Sequence, residues 1–292
     1  MEILNDDLIA FILSFTETKT IGKCLVINKK WKQIIEIYSW LFKLNFTRTK
    51  IKDISLKYFA NVKVINLEYC HDITDNGLQH LKGVHKINLT NCKQISDQGM
   101  KYLKGVHTIN LADCYQITDT GIEYLKGVHK INLTNCNKVT DEGLEYLKGV
   151  HTINLALCGQ ITNLGISYLK GVHKIDLSFC NGITDFGLKY LNGVHTISLA
   201  CCNQFTDRGI AFLKGVHSID LYDCKKITDQ SMEFLKGVKR INICKCRQIT
   251  DKGIQHLKGV HTIYIGKNQI TNKGIEYLGP VKIHRYADYP LS

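Results

Sequence analysis

Val84-His85-Lys86-Ile87-Asn88-Leu89-Thr90-Asn91-Cys92-Lys93-Gln94-Ile95-Ser96-Asp97-Gln98-Gly99-Met100-Lys101-Tyr102-Leu103-Lys104-Gly105 is one copy of a stretch that recurs along most of the chain. Ile87 and Leu89 alternate with Lys86, Asn88 and Thr90, the period-2 pattern of a half-buried strand. The period then changes. Ser96 or Asp97 can cap a short helix. Met100 and Leu103 fall on one helical face. Gly105 stands where a left-handed residue commonly ends a turn. Each copy therefore predicts a strand, a corner, one or two helical turns and a return.

The copies keep strict register. Cys70, Cys92, Cys114, Cys136, Cys158, Cys180, Cys202, Cys224 and Cys246 are spaced 22 residues apart. No site chemistry asks for that spacing, but a stacked coil does, because it returns one residue type to one point of every turn. Stacking gives a parallel sheet with rungs ~4.8 Å apart, and the rungs between Val62 and Asn268 predict a sheet of roughly 45 Å. The inward set is Val84, Ile87, Leu89, Cys92, Ile95, Met100, Leu103 and their equivalents, which only neighbouring turns can cover. A wider helical side and a narrower strand side predict that the strands line a concave face.

Of the 292 residues, 44% are apolar, enough for a sizeable core. No apolar run approaches the ~18 residues of a membrane-spanning helix. The start, Met1-Glu2-Ile3-Leu4-Asn5-Asp6-Asp7, lacks the basic region and cleavage site of a secretory signal. The 12 cysteines follow the repeat rather than a disulfide framework, so reduced thiols in an intracellular protein, cytoplasmic or nuclear, are expected. The net charge is +12, and residues 1–40 contribute none of it. A basic solenoid can meet nucleic acid or an acidic protein segment. Lysines on alternate rungs without interleaved stacking aromatics speak against nucleic acid.

Other columns recur with the cysteines. An inward thiol at a corner can donate weakly to a backbone carbonyl and tolerates burial. One thiol per rung makes no tetrahedral metal cage, and Cys201 and Cys244, off the column, read as small surface residues. His85, His107, His129, His151, His173, His195 and His217 keep step, read here as a hydrogen-bonded ladder. The lysine row (Lys82, Lys104, Lys126 and equivalents) reads as solvated and partly balanced by the aspartate row (Asp75, Asp97, Asp119 and equivalents). No glycine-rich phosphate loop and no nucleophile–base set stands out, so no enzyme and no cofactor are expected.

Concave-facing strand positions need not serve the core, so differences there are informative. Early rungs are small, polar and monotonous. Later ones gain Phe179, Tyr222, Arg240 and Tyr264, with Asp176 and Asp220 nearby. Aromatics and arginine most often anchor protein interfaces, so these six residues are the expected ligand-contacting patch. The tail from Gly279 to Ser292, with Tyr286 and Tyr289, is expected to cap the last turn.

The run L-x-x-L-x-L-x-x-C-x-x-I-T-D-x-G-L, clear at Leu133, Cys136, Val139, Thr140, Asp141, Gly143 and Leu144, resembles the cysteine-containing subclass of leucine-rich repeats. The resemblance covers about residues 45–290. It implies an α/β leucine-rich-repeat solenoid, a horseshoe with a parallel sheet on its concave face. At 22 residues the turns are short for that subclass, which implies an abbreviated helical segment.

The first forty-odd residues have a different grammar. Asn5 can cap a helix with Asp6 and Asp7 in its first turn, a favourable place for acids. Leu8, Phe11, Ile12 and Phe15 follow at helical spacing. A second helix is expected through Ile21, Cys24, Leu25 and Ile27, and a third through Trp31, Ile34, Ile35 and Tyr38. Residues 2–42 resemble an F-box at Leu4, Asp7, Leu8 and Ile9, at Phe11 to Phe15, at Val26 to Trp31 and at Trp40-Leu41, with Asn5 replacing the usual proline. The division implied is an F-box-like all-α domain over residues 1–44 and a capped solenoid over 45–292. By resemblance, the helices dock a Skp-type adaptor of a cullin-based ubiquitin ligase through Leu4, Leu8, Ile9, Ile12 and Leu25. The repeats would then hold a protein substrate. A plain interaction scaffold with no ligase role is the alternative.

Overall fold

The computed structural model describes Asp6, Ile9, Leu13, Glu17, Thr18, Thr20, Ile21 and residues 29–285. Leu4, Leu8, Ile12 and Leu25, most of the first two expected helices, and Tyr286 and Tyr289 of the expected cap lie outside the described residues. The third helix is present as α1 (Lys29–Tyr38), with Ile34 and Ile35 buried. A 3₁₀ turn, Ser39–Leu41, follows, and Phe42 is buried beside it. Ser39 accepts a hydrogen bond at Oγ from the Asn61 amide, 3.2 Å, which ties this segment to the next turn of chain.

The chain packs as two units, one up to Val139 and one from Thr140 on. In the first, β1 (Lys43–Asn45), β2 (Val64–Asn66), β3 (Lys86–Asn88), β4 (Thr108–Asn110) and β5 (Lys130–Asn132) pair in parallel and in chain order. In the second, β6 (Thr152–Asn154), β7 (Lys174–Asp176), β8 (Thr196–Ser198), β9 (Ser218–Asp220), β10 (Arg240–Asn242), β11 (Thr262–Ile265) and β12 (Lys282–Arg285) do the same. The register places copy on copy, for example Ile87 opposite Ile109 and Ile197 opposite Ile219. β1 and β12 extend the sheet beyond the expected rungs. Their Leu44 and Ile283 sit between polar neighbours as in most other strands, although the copies around them are no longer clear.

Each three-residue strand, β1 to β10, buries its middle residue and leaves the two flanking it open or partly open on the sheet face. The helical side is abbreviated, as expected. Asp97–Met100 is α-helical and Lys101–Leu103 continues as a 3₁₀ turn. Ser96 caps it, accepting from the Gln98 amide, and Met100 and Leu103 are buried. Gly105 returns the chain at φ +83°. A second left-handed position recurs at the corner after each strand, at Asn91, Asp113, Asn135 and their equivalents.

Two columns hold the rungs of each unit together. Cys92 donates from Sγ to the Leu67 carbonyl, 3.1 Å, and Cys114 to Leu89, 3.1 Å. Cys202 and Cys246 repeat this in the second unit. In the last turn Asn268 takes over, its Nδ2 donating to the Ile243 and Cys246 carbonyls. Burial pushes the Cys92 and Cys114 thiols up to about 12.

The aspartate row is the second column, and it does not balance the lysines. Asp97 accepts at Oδ1 from the Thr118 amide, 2.8 Å, and at Oδ2 from the Thr118 hydroxyl, 2.6 Å. Asp75 does the same for Ser96, Asp185 for Thr206 and Asp229 for Thr250. Amide and hydroxyl donors of the next rung, held by the backbone, reach these carboxylates where flexible lysines do not.

Candidate functional site

Most strands, β1 to β7, β9 and β10, end in Asn or Asp, and that residue has a fixed local task. Asn88 Oδ1 accepts from the Thr90 amide, 3.0 Å, and Asn154 Oδ1 from the Ala156 amide, 2.8 Å. This Asx turn carries the chain from strand into corner. Asp176 and Asp220 do the same job for the Ser178 and Tyr222 amides, both at 2.9 Å. An amide oxygen suffices for that role, so the carboxylates at these two rungs bring charge the fold does not require.

That charge lies in a hollow of about 410 Å³ on the sheet face of the second unit. Asp176, Ser198 and Asp220 form its floor along one column, with Lys174 and Arg240 in the next column and Tyr264 at one end. Ser178 Oγ donates to Asp176 Oδ1, 2.6 Å, and meets Ser198 Oγ at 2.8 Å. Burial raises the Asp220 carboxyl above its ordinary value, against the pull of the Tyr222 amide and the Asn242 side chain. Arg240 donates to the Tyr264 hydroxyl, 2.5 Å, and Tyr264 stacks on His284 with ring centroids 4.5 Å apart.

Four of the six expected contact residues, Asp176, Asp220, Arg240 and Tyr264, thus come together around this hollow. Tyr222 and Phe179 do not line it. Tyr222 sits two positions beyond the strand end, its ring 4.8 Å from Lys245 Nζ. Phe179 occupies the left-handed corner at φ 62° and is 49% exposed; Leu157, one rung earlier, has φ 63° and is 44% exposed. Leu157 was not singled out from the sequence, although it stands where other copies carry Asn or Asp. Ile9 is helical and half-buried.

Three other features follow the repeat. Within each unit the histidines form a column of stacked rings, and a hydrogen-bonded ladder runs along them through the backbone. Centroids are 4.6 Å apart for His85–His107 and 4.5 Å for His173–His195 and His195–His217. The hydrogen bonds run through the backbone, His107 N–H to the His85 carbonyl. Desolvation, with His195 and His151 adding to it, lowers the His173 pKa. Cys244 is buried rather than superficial, because a small side chain at the strand-to-corner position sinks between rungs; Ala112 and Ser178 are buried there too. A larger hollow on the helical side of the second unit, about 760 Å³, is lined by Lys189, Tyr190, Phe212 and Lys214. Its lysine–ring pairs recur in other copies, as in Lys148 over Tyr168 and Lys214 over Phe234, so it belongs to the scaffold. Among the described residues, no group of three or more His, Cys, Asp or Glu is placed to hold a metal ion. No helix among them is long and apolar enough to cross a membrane.

The family described as Leucine Rich repeat matches residues 60–82 and 128–148. The repeats have the fold of a leucine-rich-repeat solenoid. The chain's fold is similar to internalin InlF from Listeria monocytogenes, with a TM-score of 0.62 at 16% identity over 92% of this chain and 89% of that one. It is also similar to TLR13 in its complex with ssRNA13, TM-score 0.55 at 13% identity, over 86% of this chain and 42% of that one. Toll in its complex with Spatzle, from Drosophila, matches with a TM-score of 0.51 at 12% identity, over 87% and 45%. No curated protein matches the sequence. The leucine-rich-repeat fold is generally a non-catalytic scaffold for binding protein partners, and the open sheet face described above suits that use.

Proposed function

We propose that the chain is a non-catalytic receptor that holds a protein partner on the sheet face of its second unit, and that its N-terminal helices dock a Skp-type adaptor of a cullin-based ubiquitin ligase. The observation that carries the first half is the cluster of Asp176, Asp220, Arg240 and Tyr264 around one hollow, on a face whose earlier rungs carry mostly Lys, Thr and Asn, with Glu68 the exception. Carboxylates beyond what the Asx turn needs, an arginine and an aromatic ring are the equipment of a protein interface.

The second half rests on the F-box resemblance of residues 2–42 followed directly by leucine-rich repeats. α1 and its buried Ile34 and Ile35 agree with it, as do Ile37 and Trp40, each 51% exposed at the end of that segment. The receptor acts by proximity, holding a substrate near the ubiquitin-conjugating enzyme, and no bond is made or broken by its own side chains. An interaction scaffold that uses the same sheet face and engages no ligase is the second reading; the repeat fold favours it equally.

Co-purification separates the two. The full chain is expected to retain a purified Skp-type adaptor, the Leu8→Asp variant to lose it, and the Asp220→Asn variant to keep it. A parent chain that retains no adaptor overturns the ligase reading and leaves the scaffold.

A further inference from the structure

The two exposed apolar residues at left-handed corners are costly where they stand. A non-glycine residue at φ near +60° is strained, and Asn or Asp lowers that strain by bonding locally, as Leu and Phe cannot. The same corner holds Asn91, Asp113 and Asn135 in earlier rungs. Leu157 and Phe179 lie on neighbouring rungs of one unit, Leu157 N–H bonding to the Ser178 carbonyl at 3.0 Å. Phe179 follows Asp176 by three residues, so the apolar pair borders the hollow on the Asp176 side. Arg240 stands one rung beyond Asp220, at the other side. Along the Asp176 column and its corners the order is therefore apolar then acidic, with Arg240 beyond; Lys174, on the Asp176 rung, lies in Arg240's column.

Resting on the receptor reading, we infer that this face takes a short extended protein segment. That segment carries a large apolar side chain for Leu157 and Phe179, then a lysine or arginine for Asp176 and Asp220, then an acidic residue for Arg240. Charge complementarity selects this occupant. No Lys or Arg nitrogen lies within 4 Å of either carboxylate among the described residues, so the protein's own cations leave this place open. From the Phe179 rung to the Arg240 rung is three steps, ~14 Å, which an extended segment covers in about five residues. A cation beside Asp220 also favours its ionised form, offsetting the burial that raises its carboxyl.

Selection of random dodecapeptides displayed on phage against the full chain tests this. Enriched peptides are expected to carry Lys or Arg with an apolar residue on one side and an acid on the other, within about five residues. A synthetic peptide of the winning sequence should bind about tenfold more weakly to Asp176→Asn and Asp220→Asn. Both variants keep the Asx turn, as Asn154 does. Phe179→Asn should weaken binding while relaxing the corner. Peptides enriched without a basic residue, equal binding by the Asn variants, or an empty selection each overturn the inference. Ser198→Trp, which fills the hollow, separates it from the broader reading. Loss of binding in that variant without any preference for a basic residue sinks the motif alone. Binding that survives Ser198→Trp sinks the sheet-face reading as well.

Discussion

Thr118 reaches Asp97 twice, through its amide and its hydroxyl, and both bonds cross from one rung to the next. Removing the carboxylate leaves a half-buried N–H without its acceptor, so Asp97→Ala should cost about 1–3 kcal/mol in urea unfolding. Asp97→Asn should cost less. Asn163 already holds the place in one rung, accepting from the Thr184 amide at 2.9 Å and donating to its hydroxyl at 3.0 Å. Equal losses for the two variants would show that the column is not a hydrogen-bond ladder. The same bonds to Thr271 hold the Asp251 carboxyl below its ordinary range. A depressed folded value means that the stabilisation is complete above the unfolded pKa of about 3.9 and is lost as pH falls through the lower folded one. Asp251→Asn should therefore flatten the acid limb of a stability–pH curve. This column was misread from the sequence because Asp and Lys rows of equal period look like charge balance. The readable clue was the hydroxyl residue 21 positions after each Asp of the row, or 20 after Asp251. The cysteine column, by contrast, was legible, since a small, weakly donating side chain is what a buried corner accepts. Its thiols, pushed up to about 12 at Cys92 and Cys114, should resist alkylation in the folded chain, while half-buried Cys201 reacts before the buried ones. Mass-spectrometric mapping reads that order, and early labelling of Cys92 would contradict it.

A rung of 22 residues leaves room for only a short helix, and the helix must come close to the one before it. At Gly121 an added Cβ would press into Asp97 Oδ1, with Asp97 Cα 3.3 Å away. Gly121→Ala should cost about 1–3 kcal/mol through that overlap. Gly121→Ser should cost less despite its larger side chain. Ser231 occupies the equivalent place and its hydroxyl donates to Asp207 Oδ1. A Ser variant less stable than the Ala variant would contradict this account of the close approach. The strand, cap and return of each rung were legible because period, Thr or Ser, and Gly each have one local meaning. The left-handed corner was not, because Asn, Asp, Leu, Phe and Cys occupy it in different copies and no single residue type marks it. The histidine column was legible as a column but not as a stack, since ring orientation depends on neighbours a rung away. With His151 and His195 beside it, His173 is expected to titrate below the ordinary histidine range, and His195→Asn should raise it. NMR titration of the ring protons tests this; an unchanged midpoint in the variant would remove the stack as a cause.

At the scale of the whole chain, near-identity of the copies made the architecture easy to read and the site hard. A column in which every copy agrees reports packing, so function can show only where copies disagree. Asp176, Asp220, Arg240 and Tyr264 were found that way and do share a hollow. Leu157 was missed because an apolar residue at a corner looks like drift until its φ is known. The ends were the least legible: β1 and β12 carry the strand pattern on chain that no longer repeats clearly. The columns, the ladders and the ligand face all depend on one copy lying on the next in register. Hydrogen exchange resolved to single amides measures this most directly. Leu89, Leu111, Leu177, Leu199 and Leu221 each donate to the carbonyl of the following rung. Their amides are predicted to exchange slowly, recurring every 22 residues, with fast exchange at Lys93 and Lys104 between them. Protection without that period, or none at the leucines, would contradict the stacked-rung account.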